Sequence, residues 1–367
     1  DEHAAKKTLE ELPARTRLFV WSIAAAEPRR NAALVEVALD ARPKVVGRAL
    51  SLRVKVRNTS AQEMTSTLSA SWSGQPPKTI PLALEAGDTC EVPVSLSMER
   101  EGFAAGEIAL EADDAAYDNR WPFAVQVRGP LRVLVASPGA AARPEQDDAF
   151  YLRRALDPTG DGRLSGVRVE HAALRNFPAA GLETYDVVVL CGSEALPPQA
   201  AAKLDAFVRQ GHGVLCFASS SGAAAGMSQP LRALLGGQIL GERKAGQKEE
   251  PYALAVRQPA SPFFDDCRDA AGRVEFKEIH VLRALHVSPD AGTEVRAELS
   301  SGAPALLFRR AGEGRVLWWA LSAHANDSNL PLKPIFLSLL HRSIALLAGS
   351  CATAPVAPEK SLNPISS

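Results

Sequence analysis

Ser220 stands in Ala218-Ser219-Ser220-Ser221-Gly222, directly after the apolar run Gly213–Ala218. The segment approximates a G-x-S-x-G nucleophile elbow whose first glycine is replaced. Hydrolases and amidotransferases raise a serine or cysteine at such a strand-to-helix turn; they also need a base within reach and backbone donors facing the developing oxyanion. The next residues, Ala224-Ala225-Gly226, make a poor helix start, and none of His171, His212, His280, His286, His324 or His341 sits in an identifiable base motif. Ser220 therefore reads as part of a polar turn with no imidazole in hydrogen-bond reach. Cys191, which closes the run DVVVLC before Gly192, is the second candidate nucleophile. A thiol there reaches the carboxyl end of a sheet, where α/β sites lie. No neighbouring basic residue or helix N-terminus activates it, so it reads as structural.

Two aspartate groups have the chemistry of cation ligands. Asp157-Pro158-Thr159-Gly160-Asp161-Gly162 follows the opening of a calcium loop, with Asp157 and Asp161 as ligands, but Arg168 occupies the place of the closing bidentate acid. A turn built on Asp and Gly is the plainer reading. Asp113, Asp114, Asp118 and Asn119 gather four oxygen-bearing side chains just before a strand, and tight turns use the same residues for backbone bonding. His280 and His286 share a face if HVLRALH is extended, without an evident third ligand. Neither a resident metal nor a cofactor is implied.

The elements that must position these residues follow from length and pattern. The chain has 367 residues, enough for two domains with their own cores, and its 46% hydrophobic and 23% charged residues are ordinary for folded proteins. Forty-one basic and forty-two acidic side chains leave a formal charge of -1, which disfavours nucleic acid and anionic membrane surfaces as primary partners. The five cysteines are widely spaced and contain no C-x-x-C pair, so no zinc site or disulfide framework follows; Cys90 and Cys216 read as buried small hydrophobes. No apolar run approaches the ~20 residues of a membrane span. The chain starts at Asp1 and reads as a mature form or an excised piece.

Residues 1–30 resemble the last helix (5–12) and strand (16–24) of a preceding domain. From Ala32 the apolar period is two: Leu50, Leu52, Val54 and Val56 alternate with Ser51, Arg53, Lys55 and Arg57. The same alternation over 34–39, 68–72, 79–84, 90–98, 108–110 and 121–127 predicts about seven short strands, the form of an immunoglobulin-like sandwich over 31–128. After Gly129-Pro130 the pattern changes. Leu131–Ala136, Asp186–Cys191 and Gly213–Ala218 are continuous apolar strands separated by helices over 146–156 and 198–210, which predicts a right-handed, doubly wound α/β domain over 130–350. Residues 222–290 read as an insertion with short strands, 304–309 and 314–321 as a hairpin, 334–348 as a buried closing helix, and 351–367 as a linker or tail.

Two segments, SGAPALLFRRAGEGRVLWWAL and DSNLPLKPIFLSLLHRSIALL, resemble the end of the class I glutamine amidotransferase-like domain of bacterial aerotolerance-regulator (BatA-type) membrane proteins. DDAAYDNR leading into WPFAVQVRGPLRVLVA resembles that family's junction between sandwich and α/β domain. The resemblance covers most of 31–349 and rests on structural motifs. It implies an anchored protein exposed outside the cytoplasm, on the periplasmic face of the inner membrane. It also implies an amino-terminal von Willebrand A domain, of which 1–30 would be the tail, and membrane attachment through segments outside this chain. The family's G-x-C-x-G elbow and the D-x-S-x-S adhesion motif are missing, so neither chemistry carries over.

The leading expectation is thus a non-catalytic extracytoplasmic module that binds a protein or small ligand at the crevice of its α/β sheet. The rivals are a serine or cysteine hydrolase using Ser220 or Cys191, and a structural protein stabilised by a cation at Asp157/Asp161 or Asp113/Asp114/Asp118.

Overall fold

The computed structural model describes residues 30–40, 43–139, 143–144, 147–177, 181–192, 196–219, 228–245, 250–269, 271–274, 276 and 278–349. The expected remnant at 1–30, apart from Arg30, and the tail at 351–367 lie outside the described residues, as does Ser220.

Seven strands form two antiparallel sheets. One holds β1 (Ala32–Leu39), β2 (Ala49–Asn58) and β5 (Thr89–Ser97); the other runs β4 (Gln75–Leu84), β3 (Met64–Trp72), β6 (Gly102–Leu110), β7 (Arg120–Val127). Strand β2 shows why: Leu50, Leu52, Val54 and Val56 are buried while Arg53 and Arg57 face water. The apolar faces of both sheets share one core. Trp72 stacks on Phe123 with centroids 5.7 Å apart, and its Nε1 donates to the Ser97 carbonyl at 2.9 Å, tying one sheet to the other. The region is a β-sandwich.

From Leu131 a third sheet begins, nine strands wide. Five neighbours pair in parallel, in the order β9 (Val167–Ala173), β8 (Leu131–Ser137), β10 (Val187–Cys191), β11 (Gly213–Phe217), β18 (Gly314–Trp319). Antiparallel strands continue it through β17 (Pro304–Ala311), β16 (Glu294–Leu299), β13 (Tyr252–Val256) and β14 (His280–Val281). The continuous apolar runs arise because successive residues of the central strands feed two different cores. Val133, Val189, Phe217 and Trp319 face α1 (Phe150–Leu156) and α4 (Pro334–Ala348), whereas Leu134, Val188, Cys216 and Trp318 face α2 (Pro198–Arg209) and α3 (Gln229–Leu235). Among the described residues no helix is long and apolar enough to cross a membrane.

The 222–290 segment is less of an insertion than its composition suggests. Its strands β13 and β14 complete the edge of the main sheet, while β12 (Gly237–Lys244) pairs with β15 (Arg283–Pro289) in a ribbon that sends Leu285 and Val287 into the second core.

The sandwich and the α/β part meet along a tight seam. Val45 bridges to Arg128 and is wholly buried in the core beneath α1 and α4. Gly47 has φ +85°, and a Cβ there would collide with the Arg163 carbonyl oxygen; a Cβ on Gly166, φ +66°, would come within 2.8 Å of side-chain carbons of Val45 and Arg48. Both glycines permit backbones to pass closer than any side chain allows. Arg48 then reaches across, donating from Nε to the Ser165 carbonyl at 3.0 Å and from Nη2 to Nδ1 of His341 at 2.9 Å.

Candidate functional site

The chain leaves β8 for β9 on one side of the sheet and returns to β10 on the other. The carboxyl ends of β8 and β10 therefore flank the point where strand order reverses, the usual position of a ligand crevice in such sheets. Here the strand ends are close together. A Cβ on Gly192 would lie 3.1 Å from Pro138 Cγ and 3.3 Å from the Ser219 side chain, and Ala218 N–H donates to the carbonyls of Trp319 and Leu321.

A serine, a histidine and an aspartate meet at this end. Ser137 Oγ, at the last residue of β8, is 3.0 Å from Nε2 of His171 on β9. Asp147 Oδ2 lies 4.0 Å from the same Nε2, and Asp147 Oδ1 accepts the Ala149 N–H at 3.0 Å, opening the turn into α1. Burial pushes the His171 pKa down, as does Arg153, while Asp147 opposes them. A nucleophilic relay needs the carboxylate on Nδ1, so that Nε2 is free to take the serine proton. In this trio serine and carboxylate face one nitrogen, and Ser137 is fully buried. The arrangement serves better as a polar latch between β8, β9 and the entry to α1.

The sequence candidates are dispersed. Cys191 is fully buried and belongs to the α1/α4 core. Asp157 turns inward: Oδ1 accepts from the N–H groups of Gly160 and Gly162 at 2.8 and 3.1 Å, and Oδ2 from Val169 at 3.2 Å. Asp161 Oδ1 accepts from Thr159 Oγ1 and Arg163 N. The two carboxylates shape a turn. Asp113, Asp114 and Asp118 lie in the β6–β7 loop beside the start of β1. Among the described residues no three His, Cys, Asp or Glu side chains converge as for a metal ion. His280 and His286 fall on different strands, and His286 Nε2 lies 3.3 Å from Arg243 Nη2. Cys90 is partly buried, which pushes its thiol pKa up, and Cys216 is wholly buried.

A charged network absent from the sequence reading lies beyond the carboxyl end of β18. Asp327, in DSNLPLKP, has Oδ1 at 3.0 Å from Arg283 Nε and Oδ2 at 3.2 Å from Nη2, and accepts from Ser322 Oγ at 2.5 Å. Arg283 also meets Glu242 at 3.3 Å, and Glu242 pairs with Lys244 at 2.9 Å. His324 Nδ1 accepts the Asn326 N–H at 3.1 Å, which leaves the proton of the neutral ring on Nε2. Lys244, Arg283, His324, Asn326 and Asp327 line an open cleft of about 550 Å³ that carries both signs of charge. The same network stitches the β12–β15 ribbon to the main sheet, since the Asp327 carbonyl accepts the N–H groups of Leu282 and Arg283. Its sequence signal was an aspartate beside an apolar segment; its partners are 44 and 5 residues away.

No family model matches the chain, and no curated protein does. Among solved structures it is similar to an exo-β-1,4-mannosidase from an Opitutaceae bacterium, with 15% identity and a TM-score of 0.36 over 59% of this chain and 36% of that one. It is also similar to a putative ThuA-like protein from Bacteroides uniformis, with 12% identity and a TM-score of 0.45 over 58% of this chain and 89% of that one. A third similarity is to a CARDB domain from Pyrococcus furiosus in complex with di-metal ions, with 14% identity and a TM-score of 0.25 over 28% of this chain and 97% of that one.

Proposed function

We propose that this chain is a non-catalytic binding and scaffolding module of a membrane-anchored bacterial protein of the BatA type, working on the extracytoplasmic face. The observation that carries the reading is the seam between sandwich and α/β part, where Val45 enters the neighbouring core and Arg48 bridges Ser165 to His341. A joint so packed presents both parts to a partner as one body, which suits a scaffold better than two domains that must move to open and close. In this reading the larger part is a doubly wound, amidotransferase-like domain that has kept the crevice of its sheet and not the elbow. The partner is a protein or a small ligand, taken at that crevice or at the Arg283–Asp327 cleft, whose mixed charges suit a polar or zwitterionic group. Membrane attachment comes through segments outside this chain.

The rival is a serine or cysteine hydrolase, for which the Ser137–His171 contact of 3.0 Å is the specific argument. Treatment of the folded chain with a fluorophosphonate and with iodoacetamide separates the two. The expected result is no serine adduct, with Cys191 modified only on unfolding. A stoichiometric adduct on Ser137, Ser220 or Cys191 of the folded chain would convert the reading to the hydrolase. The location is tested by adding protease to spheroplasts that carry the full-length protein; protection until the membrane is permeabilised would remove the extracytoplasmic part of the proposal.

A further inference from the structure

Asn31 immediately precedes β1, and Asp113 to Asn119 lie in the loop between β6 and β7, so side chains from both sheets meet at one end of the sandwich. The donors there are spent. Asn31 Nδ2 donates to Thr59 Oγ1 at 2.9 Å and to Asp118 Oδ2 at 3.2 Å. Asn119 Nδ2 donates to Asp113 Oδ1 at 2.9 Å and to the Glu111 carbonyl at 3.5 Å. The N–H groups of Arg30 and Ala32 donate to Asp114 and Asp113, each at 2.8 Å, and that of Ala115 donates to Asp113 at 3.0 Å. These contacts also fix which end of each amide is nitrogen.

Three acceptors are left over. Oδ1 of Asn31, Oδ1 of Asp118 and Oδ1 of Asn119 are shut off from solvent and receive no hydrogen bond. Asn31 and Asn119 are only 8% and 4% exposed. Buried acceptors without a donor are rare in folded proteins, and three within one hydrogen-bonded group ask for a cause. Asn58 of the same sandwich shows the ordinary outcome. Fully buried, it donates to the carbonyls of Gln62, Leu84 and Glu85, and its Oδ1 accepts from both N and Oγ of Ser60. The group around Asn31 also holds three carboxylates, and none of Asp113, Asp114 and Asp118 is paired with a lysine or arginine side chain among the described residues. A surplus of oxygen acceptors and a negative charge, with the donors of both side-chain amides already spent, is the complement of a hard cation.

We propose that this end of the sandwich is a calcium site, with Oδ1 of Asn31, Asp118 and Asn119 as its protein ligands. Calcium takes six to eight oxygens in adaptable geometry and accepts amide oxygens beside carboxylates; magnesium demands a near-ideal octahedron and gives up its water reluctantly. Water would complete the shell. One ligating carboxylate places the affinity at the weak end of calcium modules, with a Kd of about 10⁻⁴–10⁻³ M. The bound ion clamps the entry to β1 onto the β6–β7 loop and so closes that end of the sandwich. This site does not depend on the binding role proposed above.

The test is thermal unfolding and calorimetric titration of the full chain with calcium chloride, against magnesium chloride and sodium chloride of matched ionic strength. At about ten times Kd the sandwich transition should rise by about 5 °C with calcium alone. Asp118→Asn should raise the Kd at least tenfold, while Asp161→Asn, in the other aspartate turn, should leave it unchanged. If Asp118→Asn fails to fold, hydrogen exchange of the unaltered chain decides: calcium-dependent protection should fall on residues 30–34 and 111–119. No calcium response, an equal response to magnesium or sodium, or protection elsewhere would mean that water fills these acceptors, and would overturn the site.

Discussion

Arg48 Nη2 donates to Nδ1 of His341 across 293 residues of chain, and the other ring nitrogen of His341, 3.0 Å from the Ala155 carbonyl, therefore carries the proton. Arg48 favours the neutral ring, while the Ala155 carbonyl, which a charged ring would also satisfy, opposes it more weakly. Protonation of Nδ1 would break the contact and set two cations face to face. Burial first, and Arg48 second, push the His341 pKa down to about 4.

This makes the seam sensitive to acid. The unfolded chain binds a proton on His341 below its ordinary pKa of ~6.5, whereas the folded chain does so only near 4. Stability from this residue is therefore complete above about pH 6.5 and is lost as pH falls from there to 4, by roughly 3 kcal/mol at most. Urea unfolding at pH 7.5 and 4.5 should show the loss in the unaltered chain and a clearly smaller one in His341→Gln. Equal losses in both would remove His341 from the account.

The glycines of the seam should be less replaceable than glycines in open turns. Gly47 and Gly74 both have positive φ, +85° and +76°, but a Cβ at Gly74 meets nothing within 4 Å. Gly74→Ala should cost about 1–2 kcal/mol, the ordinary penalty of left-handed backbone. Gly47→Ala adds a collision with the Arg163 carbonyl and should cost at least about 2 kcal/mol more. Comparable unfolding midpoints for the two variants would mean that the seam opens readily.

Helix α4 offers an internal comparison for the core. Leu340 is 2% exposed and packs beneath the sheet, while Leu337, one turn earlier, is 49% exposed. Leu340→Ala should destabilise by about 2–5 kcal/mol, and Leu337→Ala by less than about 0.5 kcal/mol. Similar effects at the two positions would mean that α4 also docks through its outer face.

Asp327 should matter more than a surface acid. Its carboxylate is buried and holds both Arg283 and Ser322. Asp327→Ala leaves Arg283 with Glu242 alone and should cost about 3 kcal/mol; Asp327→Asn, which can still accept from Ser322, should cost about 1–2 kcal/mol. Thermal unfolding of both variants checks the order. If the alanine variant is as stable as the asparagine one, the charge pair is dispensable.

What the sequence by itself determined is the local part of the fold. Alternation of period two, as in Leu50 to Val56, reports that one face of a strand is buried, whatever it is buried against. The strands at 131–137, 187–191 and 213–217 were legible for the same reason, because burial on both faces leaves a continuous apolar run. Strand β9, VRVEHAA, is not legible in this way, since at the sheet edge it exposes three of its seven residues, buries only Val167 fully and lacks that run. Strands β12 to β16 are short and interrupted, and their pairing was decided by partners far along the chain. Every arrangement that bears on a site is of this second kind: Ser137 with His171, Arg283 with Asp327, Asn31 with Asp118, Arg48 with His341. Periodicity records how much of each residue is covered, which is a local quantity. Which side chain does the covering depends on sheet order, the crossing of β8 to β10 and the close approach at Gly47 and Gly166, and those exist only once the chain has closed on itself.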